Sequence, residues 1–137
     1  MEMVYITRRE TFAAAHRLFK DGLSNEENLK LFGKCSNPNW HGHNYILEVV
    51  VAGEVNPATG FVLDLKELKE IIHKHVISKV DHKNLNIDTD FMIGLNPTSE
   101  NIVIAIWKQL EDKIPAGKLY SIKLYETENN YFEYRGE

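Results

Sequence analysis

Residues 41 to 54 read HGHNYILEVVVAGE, and this run constrains the fold more than any other stretch of the chain. Side chains alternate across an extended backbone. On a strand His41, His43, Tyr45, Leu47, Val49 and Val51 therefore share one face, and Asn44, Ile46, Glu48 and Val50 share the other. The first face is apolar enough to sit on a core, so the strand belongs to a sheet covered on that side by other elements.

The rest of the chain supplies those elements. Residues 3 to 15 are rich in β-branched and aromatic residues and read as a second strand. Val4, Ile6, Phe12 and Ala14 share a parity, and Arg8 and Glu10 interrupt it, which predicts a bulge or bend. Arg8, Arg9 and Thr11 also resemble a basic-directed kinase site, although a polar bulge accounts for them more simply. Ser24 followed by Glu27 has the form of a capping box and predicts a short helix. NPATG at 56–60 is turn chemistry, after which Phe61, Val62 and Leu63 can pair back onto the strand. Asp64 is placed to cap a helix with Leu65, Leu68, Ile72 and Val76 on one stripe. Residues 81–97 read as loop. A second helix follows Pro97, with Val103, Ile106, Trp107, Leu110 and Ile114 at helical spacing, and Pro115 and Gly117 stop it. Strands at 119–126 and 131–135 form a hairpin around ENN, where Asn129 and Asn130 tolerate positive φ. The expected fold is α+β in the order ββααββ, a four-stranded antiparallel sheet with two helices on one face. Its uncovered edges predict pairing with other copies into a barrel.

A chain of 137 residues with 43% apolar and 26% charged residues fits one domain spanning 1–137. Its net charge of −4 and the lack of any Lys/Arg run give no footprint for nucleic acid. A single cysteine excludes an intramolecular disulfide framework and fits a reducing compartment. No segment reaches the roughly 20 apolar residues of a membrane span. The opening MEMVYITRRE has no apolar export core, so a cytoplasmic location is expected.

Several residues sit oddly in this framework. His41 and His43 open an otherwise apolar strand face, and side chains at i and i+2 can converge on one ion. His16 ends the first strand on the parity of Phe12 and Ala14. If the two strands are antiparallel neighbours, His16 lies beside His41 and His43. Three neutral imidazoles with an open fourth position form the donor set of a catalytic Zn²⁺ site. Cys35 has three readings: a small buried hydrophobe, a fourth ligand, or a base or nucleophile near the metal. Asp81 and His82 form either a polar loop or a proton relay. Glu126 continues the apolar parity of Tyr120, Ile122 and Leu124. It is either solvated at a fraying strand end or an acid that binds a planar, NH-rich group. Thr98 and Ser99 precede the second helix as caps or further polar contacts. His73 and His75 read as ordinary boundary residues of the first helix.

Five stretches, FAAAHRL, GKCSNPNWHGHNY, VDHKNLN, PTSEN and YETENNYFEYRGE, together resemble the 6-pyruvoyl-tetrahydropterin synthase family, in its order and over nearly the whole chain. The resemblance implies the tunnelling fold (T-fold), a homohexamer built as a dimer of trimers, and active sites between subunits. It implies zinc ligands at His16, His41 and His43, a catalytic cysteine at Cys35, and an Asp81–His82 relay supplied by a neighbouring subunit. It further implies a pterin anchor at Glu126 with Thr98 as helper. The implied lyase reaction converts 7,8-dihydroneopterin triphosphate to 6-pyruvoyl-tetrahydropterin with loss of triphosphate, in tetrahydrobiopterin biosynthesis. A related alternative is 6-carboxy-tetrahydropterin synthase of the queuosine route, whose cysteine typically lies closer to HGH. A non-catalytic pterin- or metal-binding protein is a third reading. The sequence departs from the family pattern at Trp40, where a small residue, often Gly, is expected.

Overall fold

A computed structural model of the chain describes residues 2–137. Two long strands, β1 (Val4–His16) and β2 (His41–Gly53), pair antiparallel along their whole length, from Val4 opposite Gly53 to His16 opposite His41. Between them lies α1 (Asn25–Phe32). Ser24 accepts from the Glu27 amide and Glu27 reaches back to the Ser24 amide, so the expected capping box is present in both directions. A 3₁₀ turn, Gly33–Ser36, then leads toward β2.

After β2 the chain enters α2 (Leu65–Ile72), N-capped by Asp64, whose side chain accepts from the Lys66 amide at 2.9 Å. The helix runs through a π turn, His73–Ile77, into the short α3 (Ser78–Val80). A two-residue strand, β3 (Lys83–Asn84), lies parallel to Ala14–Ala15 of β1 within the segment expected to be loop. Next comes α4 (Ser99–Leu110), capped by Thr98, and then the hairpin of β4 (Lys118–Thr127) and β5 (Asn130–Tyr134). The sheet order is β3-β1-β2-β4-β5. The four long strands are antiparallel as expected, β3 adds a fifth, and the sheet is open in one chain.

The apolar face of β2 packs as its alternation predicts. Tyr45, Leu47, Val49 and Val51 are fully buried, in one core with Leu68 and Ile72 of α2 and Ile102, Ile106 and Leu110 of α4. Burying side chains of this size contributes roughly 1.5–3 kcal/mol each.

Five local expectations are corrected. No bulge interrupts β1, because its register against β2 is continuous. Arg8 and Glu10 stay on the helix-facing side and neutralise one another, with Arg8 2.7 Å from Glu10 Oε1 and His73 Nε2 2.9 Å from Oε2. The irregularities lie instead in β4: Glu126 is an extra residue against β5, between Tyr125 opposite Tyr131 and Thr127 opposite Asn130, and on the β2 side Ser121 pairs with Val50 and Leu119 with Val51. Tyr120 is the extra residue on that side. Parity flips there, so Leu119 is buried while Tyr120 is exposed and leaves the face of Ile122 and Leu124. Phe61, Val62 and Leu63 form no strand; the loop closes on itself through the Asn56 amide and the Phe61 carbonyl. Leu65 is exposed at the first position of α2, outside the buried stripe. The hairpin turn does not use positive φ: among the described residues, the non-glycine residues with positive φ are Trp40 and His82.

Thr11 sits within the continuous β1–β2 ladder opposite Ile46, with its side chain on the face away from the helices.

Candidate metal centre and adjoining cleft

The end of β1 and the start of β2 are register partners, which brings His16 directly opposite His41. Strand alternation puts His43 on the same face. The three rings stand edge to edge, with centroids 4.5 Å apart for His16–His41, 5.1 Å for His16–His43 and 5.0 Å for His41–His43. One ligating nitrogen from each lies within 4.8 Å of the others.

His16 is 1% exposed. Its Nδ1 lies 2.8 Å from the carbonyl oxygen of Pro97. A carbonyl only accepts, so Nδ1 carries the hydrogen and Nε2 holds the lone pair. Burial lowers the His16 pKa to about 4; the Pro97 carbonyl works against the shift and the neighbouring His41 and His43 add to it. Burial and His43 likewise lower His41. Both rings are therefore neutral near pH 7, the state that metal coordination requires. His16 Nε2, both nitrogens of His41 and His43 Nε2 are buried with no hydrogen-bond partner. Unpartnered buried nitrogens are costly, and a bound cation would satisfy one on each ring. The donor set fits a divalent metal.

Tyr45 follows on the same face, fully buried, with its hydroxyl oxygen 3.4 Å from His16 Nδ1. Sequence reasoning placed Tyr45 on this face without giving it a part in the site. The signal was available, since a phenol at a buried position needs a polar partner.

Glu126, at the end of β4, is half-buried and stands beside the triad, with Oε1 3.7 Å from His43 Nε2. Its Oε2 accepts a hydrogen bond from Ser99 Oγ at the start of α4. Thr98 plays a different part: its side chain accepts the Asn101 amide as the helix cap. Of the two hydroxyls, Ser99 is the one that reaches Glu126.

Cys35 lies in the 3₁₀ turn and is half-buried. It shares with His41, His43, Leu29, Lys34 and Pro38 a cleft of about 620 Å³. Among the described residues the metal-capable cluster comprises the three histidines and does not include Cys35.

The Asp81–His82 pair forms, with His82 Nδ1 3.1 Å from Asp81 Oδ1. The same oxygen accepts the Ala13 amide at 3.0 Å, and this bond, with smaller help from His82, keeps the Asp81 carboxyl below its ordinary value although burial opposes it. His82 adopts φ 59° and is largely exposed. It borders a hollow of about 520 Å³ whose floor includes Ala13, Ala15, Gly42 and Asn44. Ala14 and His43 also border it, but the floor residues alternate with Ala14, His16, His41 and His43 along the strands, so the hollow opens mainly on the other face of the sheet. Within one chain the structure unites the triad, Glu126 and the Cys35 cleft, and leaves the Asp81–His82 pair apart from them.

Trp40, immediately before the triad strand, has φ 68°. Its amide closes a turn by donating to the Asn37 carbonyl at 3.0 Å. A left-handed backbone is the physical reason that glycine suits this position.

Comparison with known proteins identifies the family. The family described as 6-pyruvoyl tetrahydropterin synthase matches residues 5–137. A protein of Pongo abelii named 6-pyruvoyl tetrahydrobiopterin synthase is 50% identical over 132 residues, covering 96% of this chain and 91% of that one. One of the same name from Dictyostelium discoideum is 49% identical over 136 residues, covering 98% and 97%. The solved structure of Caenorhabditis elegans 6-pyruvoyl tetrahydropterin synthase superposes with a TM-score of 0.92 at 41% identity, covering 100% of this chain and 98% of that one. With the family matched over residues 5–137, relatives near half identity over almost the full length and a solved structure superposing on the whole chain, the chain belongs to the 6-pyruvoyl tetrahydropterin synthase family.

Proposed function

We propose that the chain, acting as one domain over residues 1–137, converts 7,8-dihydroneopterin triphosphate to 6-pyruvoyl-tetrahydropterin with elimination of triphosphate, in tetrahydrobiopterin biosynthesis. The observation that carries this reading is the convergence of His16, His41 and His43, each with a buried nitrogen that has no hydrogen-bond partner, beside both a carboxylate and a thiol-lined cleft. The names of relatives near half identity over almost the full length support it.

His16, His41 and His43 hold Zn²⁺ in this reading, the metal that suits three neutral imidazoles. A bound Zn²⁺ supplies Lewis acidity to the hydroxyl-bearing substrate side chain, acidifying the adjacent C–H and O–H bonds. Cys35 stands outside the ligand set and takes a proton from one side of that side chain. His82, oriented by Asp81, exchanges protons on another side. Because this pair opens on the opposite sheet face of its own chain, a neighbouring chain supplies it to each site. Glu126 receives the pterin N–H groups through paired charge-assisted hydrogen bonds, and Thr98 borders the ring. Fixing the ring presents the side chain to the reacting groups. Loss of triphosphate and tautomerisation complete an internal redox change, so no nicotinamide is consumed.

The assembly is proposed to be a homohexamer, two trimers whose open sheets join edge to edge into barrels. The protein acts in the cytoplasm; no described helix is long and apolar enough to cross a membrane. The test is incubation of the purified, zinc-loaded protein with the triphosphate substrate and identification of the product. A pyruvoyl side chain is expected. A carboxyl side chain identifies the 6-carboxy-tetrahydropterin synthase reaction instead, and unchanged substrate identifies a binding protein; either result overturns the proposal.

A further inference from the structure

Arg17 occupies a position that the reaction scheme above leaves without a role. It follows His16 directly, where β1 ends. Its backbone is held on both sides by Asn86, whose Oδ1 accepts the Arg17 amide and whose Nδ2 donates to the Arg17 carbonyl, each at 2.9 Å. The side chain reaches the turn that carries the thiol. Nε donates to the Ser36 carbonyl at 2.7 Å, and a terminal nitrogen donates to Asn25 Oδ1 at 3.2 Å. The guanidinium lies 4.3 Å from the centroid of the Phe19 ring. One residue on, the Leu18 amide donates to the Cys35 carbonyl at 2.8 Å.

Two consecutive carbonyls of the turn, those of Cys35 and Ser36, are thus bound to two consecutive residues that continue from a triad histidine. We infer that Arg17 is a positioning residue: it fixes where the Cys35 thiol stands relative to His16. The chemistry suits arginine. Its planar fork spans a backbone carbonyl and a side-chain amide while stacking on an aromatic ring. Lysine offers one compact charge and cannot bridge the same pair. Ser36 is buried, so loss of the Nε donor leaves an unpaired carbonyl within a four-residue turn. The turn then has reason to shift, and the thiol shifts with it.

This inference rests on the proposal that Cys35 is the base. Its test keeps the two separable, because the thiol can be read without turnover. Cys35 is the only cysteine, so iodoacetamide alkylation of the metal-loaded protein reports its surroundings directly. Arg17→Met and Arg17→Lys are expected to retain metal and a cooperative melt while changing the alkylation rate several-fold. They lower kcat about tenfold or more with KM within about twofold, as misplacement of a reacting group predicts. Free guanidinium restores part of the kcat of Arg17→Ala. Should Arg17→Met fail to fold, Arg17→Lys, which keeps the charge and the aliphatic stem, carries the test. Wild-type alkylation and kcat in that variant overturn the inference. So does wild-type alkylation with a raised KM for the triphosphate substrate, which makes Arg17 a phosphate ligand. Full turnover by Cys35→Ala overturns the base assignment alone, and the alkylation rates of the Arg17 variants still decide the positioning role.

Discussion

Ser99 donates its hydroxyl hydrogen to Glu126, joining the first residue of α4 to the end of β4. Ser99 is buried and Glu126 half-buried, so the bond fixes one carboxylate oxygen and leaves the other beside His43. Ser99→Ala is expected to raise KM about tenfold, the equivalent of about 1.5 kcal/mol for a hydrogen bond to a charged group, with a smaller change in kcat. Metal content stays at the wild-type level. Steady-state kinetics alongside metal analysis check this; an unchanged KM would show that Glu126 is held adequately by other contacts.

Asp81 combines a structural bond to the Ala13 amide with the pairing to His82. Asp81→Asn separates the two, because the amide oxygen still accepts from Ala13 while the negative charge is lost. Unfolding stability should fall by only about 1 kcal/mol or less, the difference between a charged and a neutral acceptor for the Ala13 amide. Turnover should fall by about 10²-fold or more if the pair relays protons. Denaturant unfolding and kcat, measured on the same preparation, give the two answers independently.

Trp40 holds a left-handed backbone that costs a side-chain-bearing residue about 1 kcal/mol relative to glycine. Comparing Trp40→Gly with Trp40→Ala isolates that cost, since both remove the indole. The glycine variant is expected to be the more stable of the two by about 1 kcal/mol in denaturant unfolding. Equal stabilities would mean that the turn from Asn37 relaxes to another backbone conformation.

Glu10 gives the fold an acid-sensitive contact away from the histidine triad. Burial opposes its charge, but hydrogen bonds and the positive charges of Arg8 and His73 prevail and hold its pKa below the ordinary 4.5. Since the folded value is the lower one, the contact's stabilisation is present above about pH 4.5 and is lost as pH falls through the folded value. Glu10→Gln is therefore expected to destabilise the protein at pH 7 by on the order of 1–3 kcal/mol. The gap from wild type should narrow as acid is added below pH 4.5. Unfolding curves at a series of pH values check it, and a gap independent of pH would assign the loss to packing rather than charge.

The β2 alternation was legible in the sequence because a strand buried on one face writes its burial as a period of two. The capping box at Ser24 and the caps at Asp64 and Thr98 were legible because they depend on neighbours two or three residues away. The triad could be anticipated once His16 was paired with His41, a single long-range assumption that the ladder satisfies. Tyr120 was misplaced because a one-residue bulge reverses the alternation on one side of it relative to the other without leaving a mark in composition. Arg8 and Glu10 suggested a broken strand because their partner, His73, comes from the helix layer. The ties through Arg17 and Asn86 were hidden for a related reason: they are side-chain bonds to backbone groups about 20 and 69 residues away.

The π turn at His73–Ile77 has a consequence for how such a chain tolerates length change. A π turn amounts to one residue inserted into an α-helix. Deleting a residue within 73–77 would leave α2 and α3 as an uninterrupted helix, which is easily accommodated as local structure. Because the five residues of a π turn sweep nearly the same rotation as four of an α-helix, the residues downstream would keep their facing. Val80 would stay turned into the core, and Asp81 would still be aimed at the Ala13 amide. The π turn is thus a position where the chain can lose one residue and keep the heading of the Asp81–His82 segment.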